Sequence, residues 1–416
     1  CTMLLGSLVI SGCSDSNTSG TQSADNTSNG SSTAHQGEIK DISSVELVKD
    51  MKIGWSLGNT LDGGNESNRG QDPGSIEKSW GNPDTTKEMI DEIKKAGFNV
   101  LRVPTTWDWS TGEAPEYKIS DEWFARVKEI VDYGMENDMY VILNIHHETW
   151  HDPLEKNYEA ASDRLKKVWT QIGNYFKDYD EHLIFEGLNE PRVRNSDEEW
   201  NGGSDATREV VNKLDADFVS TIRSLDGNNK LRHLMIPGYA ASSSEVALKA
   251  LKIPENDDKL IVSVHAYIPY NFALADNKRS NKWVACKEGF TNDIDYLADM
   301  LKTLFTDKGQ AVIIGEFGAR SKDNEKYRAE WAKYYVTKMK TVGVPCVWWD
   351  NGAFIGSGEL FGLFDRRNLE WRYPLVKDAL ISASNGEYTV DGLKSDTAIL
   401  DELKKDIAQS KNSSAE

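Results

Sequence analysis

Cysteine is scarce: the 416-residue chain has four, and two of these fall within the first thirteen positions. Cys286 and Cys346 are left isolated in the body of the chain, so no disulfide framework organises it. Both read as free thiols, although sequence gives no Cα separation that would rule out their pairing. Positive charge is also short. Forty-eight Lys and Arg stand against 67 Asp and Glu, a formal net charge of −19. A nucleic acid would be repelled by that surplus, whereas a neutral ligand would not. The apolar run Thr2–Ile10 is too brief for a membrane-spanning helix. Nor does a Gly-rich turn follow the first predicted strand, which argues against a doubly wound dinucleotide-binding sheet.

Aromatic residues, by contrast, are plentiful, with thirteen Trp, fifteen Tyr and twelve Phe. Most are expected to fill a core. Trp107-Asp108-Trp109 and Trp348-Trp349-Asp350 fall at predicted strand ends, where a core role is less natural. The beginning of the chain has a different character. Val9-Ile10-Ser11-Gly12-Cys13 resembles the lipobox of a bacterial lipoprotein, in which the cysteine becomes the lipidated N-terminus. Residues 1–13 are read as a truncated leader and Cys13 as a lipidation site. Residues 14–37, rich in Ser, Asn, Thr and Gly, bury too little to offset their ordering entropy and read as a tether. The expectation is an extracytoplasmic, membrane-anchored monomer, soluble when made without the signal.

From Ile39 one pattern repeats. Apolar strands are predicted at Ile53–Gly58, Val100–Pro104, Tyr140–Ile145, Leu183–Phe185, Leu234–Pro237, Leu260–Val264, Val312–Ile314 and Pro345–Trp349. Amphipathic helices are predicted between and after them, at Thr85–Ala96 (capped by Asp84 or Thr85), Asp121–Asn137, Ala160–Lys177, Ala206–Ser224, Ser243–Ala250, Ile294–Thr306, Lys326–Lys340 and Tyr373–Ser382. Eight such units predict a single α/β domain over residues 38–384, a (β/α)8 TIM barrel. Residues 385–416 form a polar tail with a helix expected over Ser395–Gln409. Asn59, Arg102, His146, Glu190, His265, Glu316 and Trp349 fall near the carboxyl ends of strands, the face where a barrel collects its chemistry.

Two of these are glutamates. Glu190 follows the run Leu183–Phe185 and precedes Pro191, which cannot continue a central strand. Glu316 ends Val312-Ile313-Ile314-Gly315. Carboxylates from strands four and seven face each other across a barrel mouth, the arrangement that glycoside hydrolysis requires. A gap of roughly 5–5.5 Å implies retention and roughly 6.5–9.5 Å inversion. Arg102 would keep a neighbouring carboxylate ionised. His265 and Tyr267, two apart, share one side of their strand; Tyr267 is placed to bond the nucleophile and His265 the acid. Trp349 offers a flat face to a sugar ring. His147-Glu148-Thr149-Trp150-His151 matches the zinc-peptidase pattern H-E-x-x-H, but that pattern needs a helix. Here it follows a strand and precedes Pro153, so neither a metal nor any other cofactor is expected.

Taken in order, Gly54–Thr60, Ser79–Pro83, Leu101–Pro104, Leu143–Glu148, Glu186–Pro191, Val264–Tyr267, Ile314–Gly318 and Trp348–Gly352 resemble glycoside hydrolase family 5. The likeness is greatest to subfamily 4, the clostridial and rumen-type endoglucanases. The resemblance spans roughly residues 46–382 and implies a retaining endo-β-1,4-glucanase. It implies Glu190 as acid/base and Glu316 as nucleophile, with Arg102, His146, Asn189, His265, Tyr267 and Trp349 completing the centre. Asn59, Trp80, His147 and Asp350 are implied more weakly, as substrate contacts. Cellulose and mixed-linkage glucan are the implied polysaccharides, with xyloglucan or xylan as further candidates. A xyloglucan-specific enzyme or a mannanase on the same fold, and a non-catalytic surface glycan binder, are the alternatives.

Overall fold

The computed structural model describes residues 35–276, 278–401 and 403–405. Cys13 and residues 14–34 of the tether lie outside them. Eight parallel strands close into a barrel in sequence order. They are β1 (Ile53–Leu57), β2 (Val100–Val103), β3 (Tyr140–Asn144), β4 (Leu183–Glu186), β5 (Leu234–Ser242), β6 (Leu260–His265), β7 (Ala311–Phe317) and β8 (Cys346–Asp350). A helix follows each: Lys87–Ala96, Asp121–Glu136, Tyr158–Tyr175, Asp205–Ser224, Glu245–Ala250, Asn292–Leu304, Glu325–Thr341 and Pro374–Asn385.

The strands are buried on both faces, which is why they read as unbroken apolar runs. Their alternation still sorts the side chains. Leu101, Val103, Val141, Leu143, Phe185, Val262, Ile314 and Trp348 join the layer beneath the helices. Val100, Tyr140, Ile142, Ile184, Met235, Ile261, Ile313 and Val347 form a separate cluster with Leu47, Val48 and Met51. The last three come from the helix Ser44–Asp50 and the residue after it. This helix plugs the amino end of the barrel and gives the interior an apolar floor. Its start is fixed by a capping box between Ser43 and Glu46.

Boundaries differ from expectation where local chemistry intervenes. The helix predicted from Thr85 starts at Lys87 behind Thr86, without a side-chain cap. Thr85 instead donates its N–H to buried Glu77, 2.6 Å away, which also pairs with Arg126. β5 continues past Pro237 to Ser242 through a register irregularity. β4 stops at Glu186, so Glu190 stands in the loop beyond it. The helix expected over Ser395–Gln409 begins at 398, after a separate helix that ends at Ser395; its positions 402 and 406–409 lie outside the described residues. Leu393 and Leu403 are buried in the main core, so these turns pack on the body of the domain. A short hairpin, β9 (Phe364–Asp365) with β10 (Glu370–Trp371), has no counterpart in the sequence reading. Cys286 and Cys346 are free.

One irregularity positions chemistry. Along β6 the partners step from Val264 to His265, while on β7 they step from Ile314 to Glu316. On the other side, Ile314 to Phe317 spans only Cys346 to Trp348 of β8. Both neighbours therefore skip one residue of β7. A bulge of one residue reverses which face the following side chains take. Phe317 consequently joins the outer core with Trp331, Tyr335 and Trp348, and Glu316 turns into the barrel mouth.

Candidate active site

Above the apolar floor the inward positions become polar: Arg102 on β2, Asn144 on β3, Glu186 on β4, Ser263 and His265 on β6. Arg102 is fully buried and its three nitrogens are all engaged. Nε donates to Glu186 Oε2 at 2.9 Å, Nη1 to Glu316 Oε1 at 2.7 Å, and Nη2 to Asn189 Oδ1 at 2.7 Å. Glu186 is completed by Ser263 Oγ at 2.7 Å and Asn144 Nδ2 at 2.9 Å. Burial alone would lower the guanidinium's pKa, but the charges of Glu186 and then Glu316 raise it instead.

Glu316 takes a second donor, the Tyr267 hydroxyl, at 2.9 Å. Burial and the adjacent Glu316 and Glu190 carboxylates push that phenol well above its ordinary value, so it remains a donor. Across the mouth, His265 Nδ1 lies 2.8 Å from Glu190 Oε1 and 3.6 Å from Glu316 Oε2. One oxygen from each of the two glutamates and a ring nitrogen of His265 all lie within 4.8 Å of one another. Burial would lower the pKa of His265, but Glu316 and then Glu190 outweigh it and hold it above 6.5. Burial would raise Glu190, yet the bond and charge of His265, followed by Arg192 and Arg102, bring it below 4.5. The two side chains form one titrating unit with its proton toward His265.

His146 is buried and lies parallel to Trp349, ring centres 5.8 Å apart and planes within 4°. Its burial keeps it neutral. Trp349 can occupy this position because Gly58 has no side chain; a Cβ there would meet the indole at 2.7 Å. Trp80 is 41% exposed and tilts over His147 at 5.6 Å. Asn59 sits at φ 55°, partly exposed, its carbonyl held by Asn82. Asp350 does not reach the cleft, which corrects its reading as a substrate contact. It is fully buried and accepts from Trp55 Nε1 at 3.0 Å and from the backbone N–H groups of Gly352, Leu363 and Phe364. Its role is to secure the loop after β8.

The H-E-x-x-H stretch lies in the loop after β3. Glu148 is spent on Trp107 N–H at 2.6 Å and Trp150 Nε1 at 2.9 Å. Burial, with Asp108 nearby, pushes its carboxyl up to about 7. Both nitrogens of His151 are buried without partners. The pattern match is therefore a loop with hydrogen-bonding duties of its own.

Several functional neighbours were not singled out from sequence. Glu186 and Asn144 were legible in principle, since each shares the inward parity of its strand. Arg192 was not. It donates from Nη1 to the Glu190 carbonyl at 3.0 Å and carboxylate at 3.4 Å, is held by Glu199, and lies 4.3 Å over the exposed ring of Trp200. These residues come from one irregular loop whose path no periodicity encodes.

An eight-stranded barrel whose mouth holds two carboxylates beside a buried arginine, with aromatic rings around them, defines a barrel glycosidase. Comparison with known proteins narrows this. Residues 64–354 match the family model described as cellulase, glycosyl hydrolase family 5. Endoglucanase B of Neocallimastix patriciarum is 49% identical over 347 residues, covering 82% of this chain and 72% of that protein. Endoglucanase A of Ruminococcus albus is 44% identical over 353 residues, 84% and 94% of the respective chains. Among solved structures, a GH5-4 broad specificity endoglucanase from Ruminococcus champanellensis with bound cellotriose superposes with TM-score 0.78. It is 42% identical and covers 83% of this chain and 99% of that one. A family 5 lichenase from Caldicellulosiruptor sp. F32 gives TM-score 0.79 at 43% identity, covering 84% and 97%. The chain belongs to glycosyl hydrolase family 5, subfamily 4.

The bulge in β7 yields a test. A Cβ on Gly315 would stand 2.7 Å from Ser263 Oγ and 3.2 Å from His265 Nε2. Gly315→Ala is expected to displace β7 or His265. Turnover should fall on the order of 10²-fold for a shift approaching 1 Å. Overpacking should cost stability only about 1–3 kcal/mol. Parallel kcat and urea-midpoint measurements check both; unchanged kcat would show that the strand relaxes without moving Glu316.

Proposed function

We propose that this enzyme cleaves internal β-1,4 bonds of glucans, cellulose and mixed-linkage β-glucan foremost, by double displacement through a covalent glycosyl-enzyme. The observation that carries this reading is the approach of the Glu190 and Glu316 carboxylates to within 4.8 Å. That range suits a nucleophile attacking from one side and an acid on the other, and leaves no room for the water an inverting enzyme places between them. The relatives support the substrate class: they are named as endoglucanases, a lichenase and broad specificity endoglucanases, one holding cellotriose.

Glu316 is the nucleophile and Glu190 the acid/base. As a Glu316 oxygen bonds to the anomeric carbon, the glycosidic bond breaks and Glu190 gives its proton to the departing oxygen. Glu316 loses its charge in that step, and this charge is the largest influence raising His265. Attack therefore weakens the hold of His265 on its proton, which passes over 2.8 Å to Glu190. Deglycosylation runs the sequence backward: Glu190 takes a proton from water, the ester opens, and His265 is recharged as Glu316 regains its charge. Asn189, fixed by Arg102, is placed to bond the 2-hydroxyl of the reacting sugar. Trp349 with His146 forms an aromatic floor for the cleft, and Trp80, His147 and Asn59 extend it. Trp200 shows an open ring beside the acid's loop. These open faces are compatible with decorated chains such as xyloglucan, so a xyloglucanase side activity belongs to the same reading.

Glu316→Gln is expected to lose at least about 10³-fold in kcat on carboxymethylcellulose, in keeping with removal of a catalytic group that acts with others as a unit. NMR of fresh wild-type products should show the β-anomer first; the α-anomer would refute double displacement. The pH profile follows from His265. Its folded pKa lies above 6.5, so the Glu190–His265 unit keeps its proton below that value and loses it as pH rises through it. The alkaline limb of kcat/KM should therefore fall above 6.5 and move in His265→Asn; an unmoved limb assigns the proton to another group.

We further propose that the mature protein is a monomer displayed outside the cytoplasm, tethered through lipidated Cys13 and residues 14–34; residues 35–37, read from sequence as the end of the tether, are instead hydrogen-bonded to the turn before β4. The support is the Val9–Cys13 lipobox resemblance and the polar tract after it. Among the described residues no helix is long and apolar enough to cross a membrane. A precursor carrying Cys13→Ala should leave the membrane fraction; equal membrane association of both forms would refute the anchor.

A further inference from the structure

The amino end of the barrel, away from the cleft, carries a cluster that the reaction does not use. His35 stands on the segment entering the domain. Asp138 precedes β3, and Asp180 and His182 precede β4. His35 Nδ1 lies 2.8 Å from Asp180 Oδ2, and its Nε2 lies 3.3 Å from Asp138 Oδ1. His182 repeats this, with Nδ1 3.0 Å from Asp180 Oδ1 and Nε2 3.8 Å from Asp138 Oδ1. The two rings are 4.3 Å apart, and Tyr140 stacks on the outer face of His182 at 4.8 Å.

Counting donors shows what is missing. A neutral imidazole has one N–H and one lone pair. Two neutral rings meet the two hydrogen bonds to Asp180 with their Nδ1–H groups, and each Nε2 lone pair is then turned toward the exposed Asp138 carboxylate, at 3.3 and 3.8 Å. A cation bound by the two Nδ1 atoms and Asp180 removes that opposition, since both Nε2 atoms then carry the proton and donate toward Asp138. We infer that His35, Asp180 and His182 form a three-residue binding site for a divalent transition-metal ion of the zinc class. Imidazole with carboxylate suits zinc, copper or nickel, whereas magnesium and calcium prefer all-oxygen sets. One donor atom from each of His35, Asp180 and His182 already lies within 4.8 Å of the others. A tetrahedral ion with bonds of about 2.0–2.2 Å needs donors about 3.2–3.6 Å apart. The remaining closure is within reach of side-chain rotation at this partly exposed surface.

The ion would act as a staple. His35 belongs to the segment that continues the tether. That segment is already tied to the turn before β4 by Gly37 N–H to Asp178 O, Asp180 N–H to His35 O, and Asn228 Nδ2 to Gly37 O, at 3.0, 3.0 and 2.7 Å. A metal bond from His35 to Asp180 and His182 would fix the point at which the tether meets the barrel.

The test uses the whole chain, stripped with a chelator and then equilibrated with zinc chloride at neutral pH. The wild type is expected to retain one zinc per chain after desalting, to gain in thermal midpoint, and to keep its turnover. His35→Gln and His182→Gln should each lose the retained zinc and the gain. His35→Gln alters only the entering segment, so it separates metal loss from damage to the barrel. Failure of the wild type to retain zinc would overturn the site. Zinc retained by both variants, or zinc that suppresses turnover, would also overturn it and place the ion in the cleft, at Glu190, His265 and Glu316 or at Asp62, His146 and His147.

Discussion

The site depends on one buried cation. Arg102 ties β2 to Glu186 on β4, to Glu316 on β7 and to Asn189 in the loop after β4. A guanidinium in a barrel interior is tolerable only when its donors meet acceptors and its charge meets anions. Glu186 provides that partner permanently, itself satisfied by Ser263 and Asn144. In the proposed double displacement this arrangement leaves Arg102 charged even while Glu316 is esterified. The nucleophile can therefore lose and regain its charge without leaving an isolated cation in the core. Glu186 is the quiet member of the set: it faces no sugar, yet it makes the chemistry of Glu316 repeatable.

The second constraint is mechanical. The apolar floor formed with the helix Ser44–Asp50 supports the polar layer from below and excludes water. The bulge at Gly315 then sets which way Glu316 points. Were β7 regular through Gly315, its alternation would send Phe317 into the cleft and Glu316 among the helices. The same backbone irregularity thus serves packing, through Phe317 against Trp331 and Tyr335, and turns Glu316 into the barrel mouth beside Arg102. The glycine is required because Ser263 and His265 leave no space for a Cβ.

Chemistry-bearing residues gain their meaning from where the chain places them. Asp350 and Glu148 each belong to a stretch rich in apparent functional signals. One is consumed in holding the loop after β8, the other in fastening the loop after β3 to Trp107. His265, by contrast, lies 2.8 Å from Glu190 and 3.6 Å from Glu316 and couples their charges.

Much of this was legible in the linear chain. Apolar runs separated by amphipathic stretches located all eight strands, because strands buried on both faces are apolar over most of their length. The period of two put Arg102 and His265 on the inward side of their strands and could have done the same for Glu186 and Asn144. Ends of elements were less legible where a distant group intervened, as Glu77 does at Thr85. The loop carrying Arg192 and Trp200 was not legible, since its path depends on contacts with Glu190 and Glu199 rather than on local preference. Nor could sequence give the separation of the two glutamates. By itself the sequence determined the barrel, the face on which the chemistry gathers and the family, because those follow from pattern and order. The tertiary structure decided the reach between carboxylates, the turn of Glu316 at the bulge and the burial of Asp350. Each depends on distances between strands far apart in the chain, and pairwise geometry has no local signature.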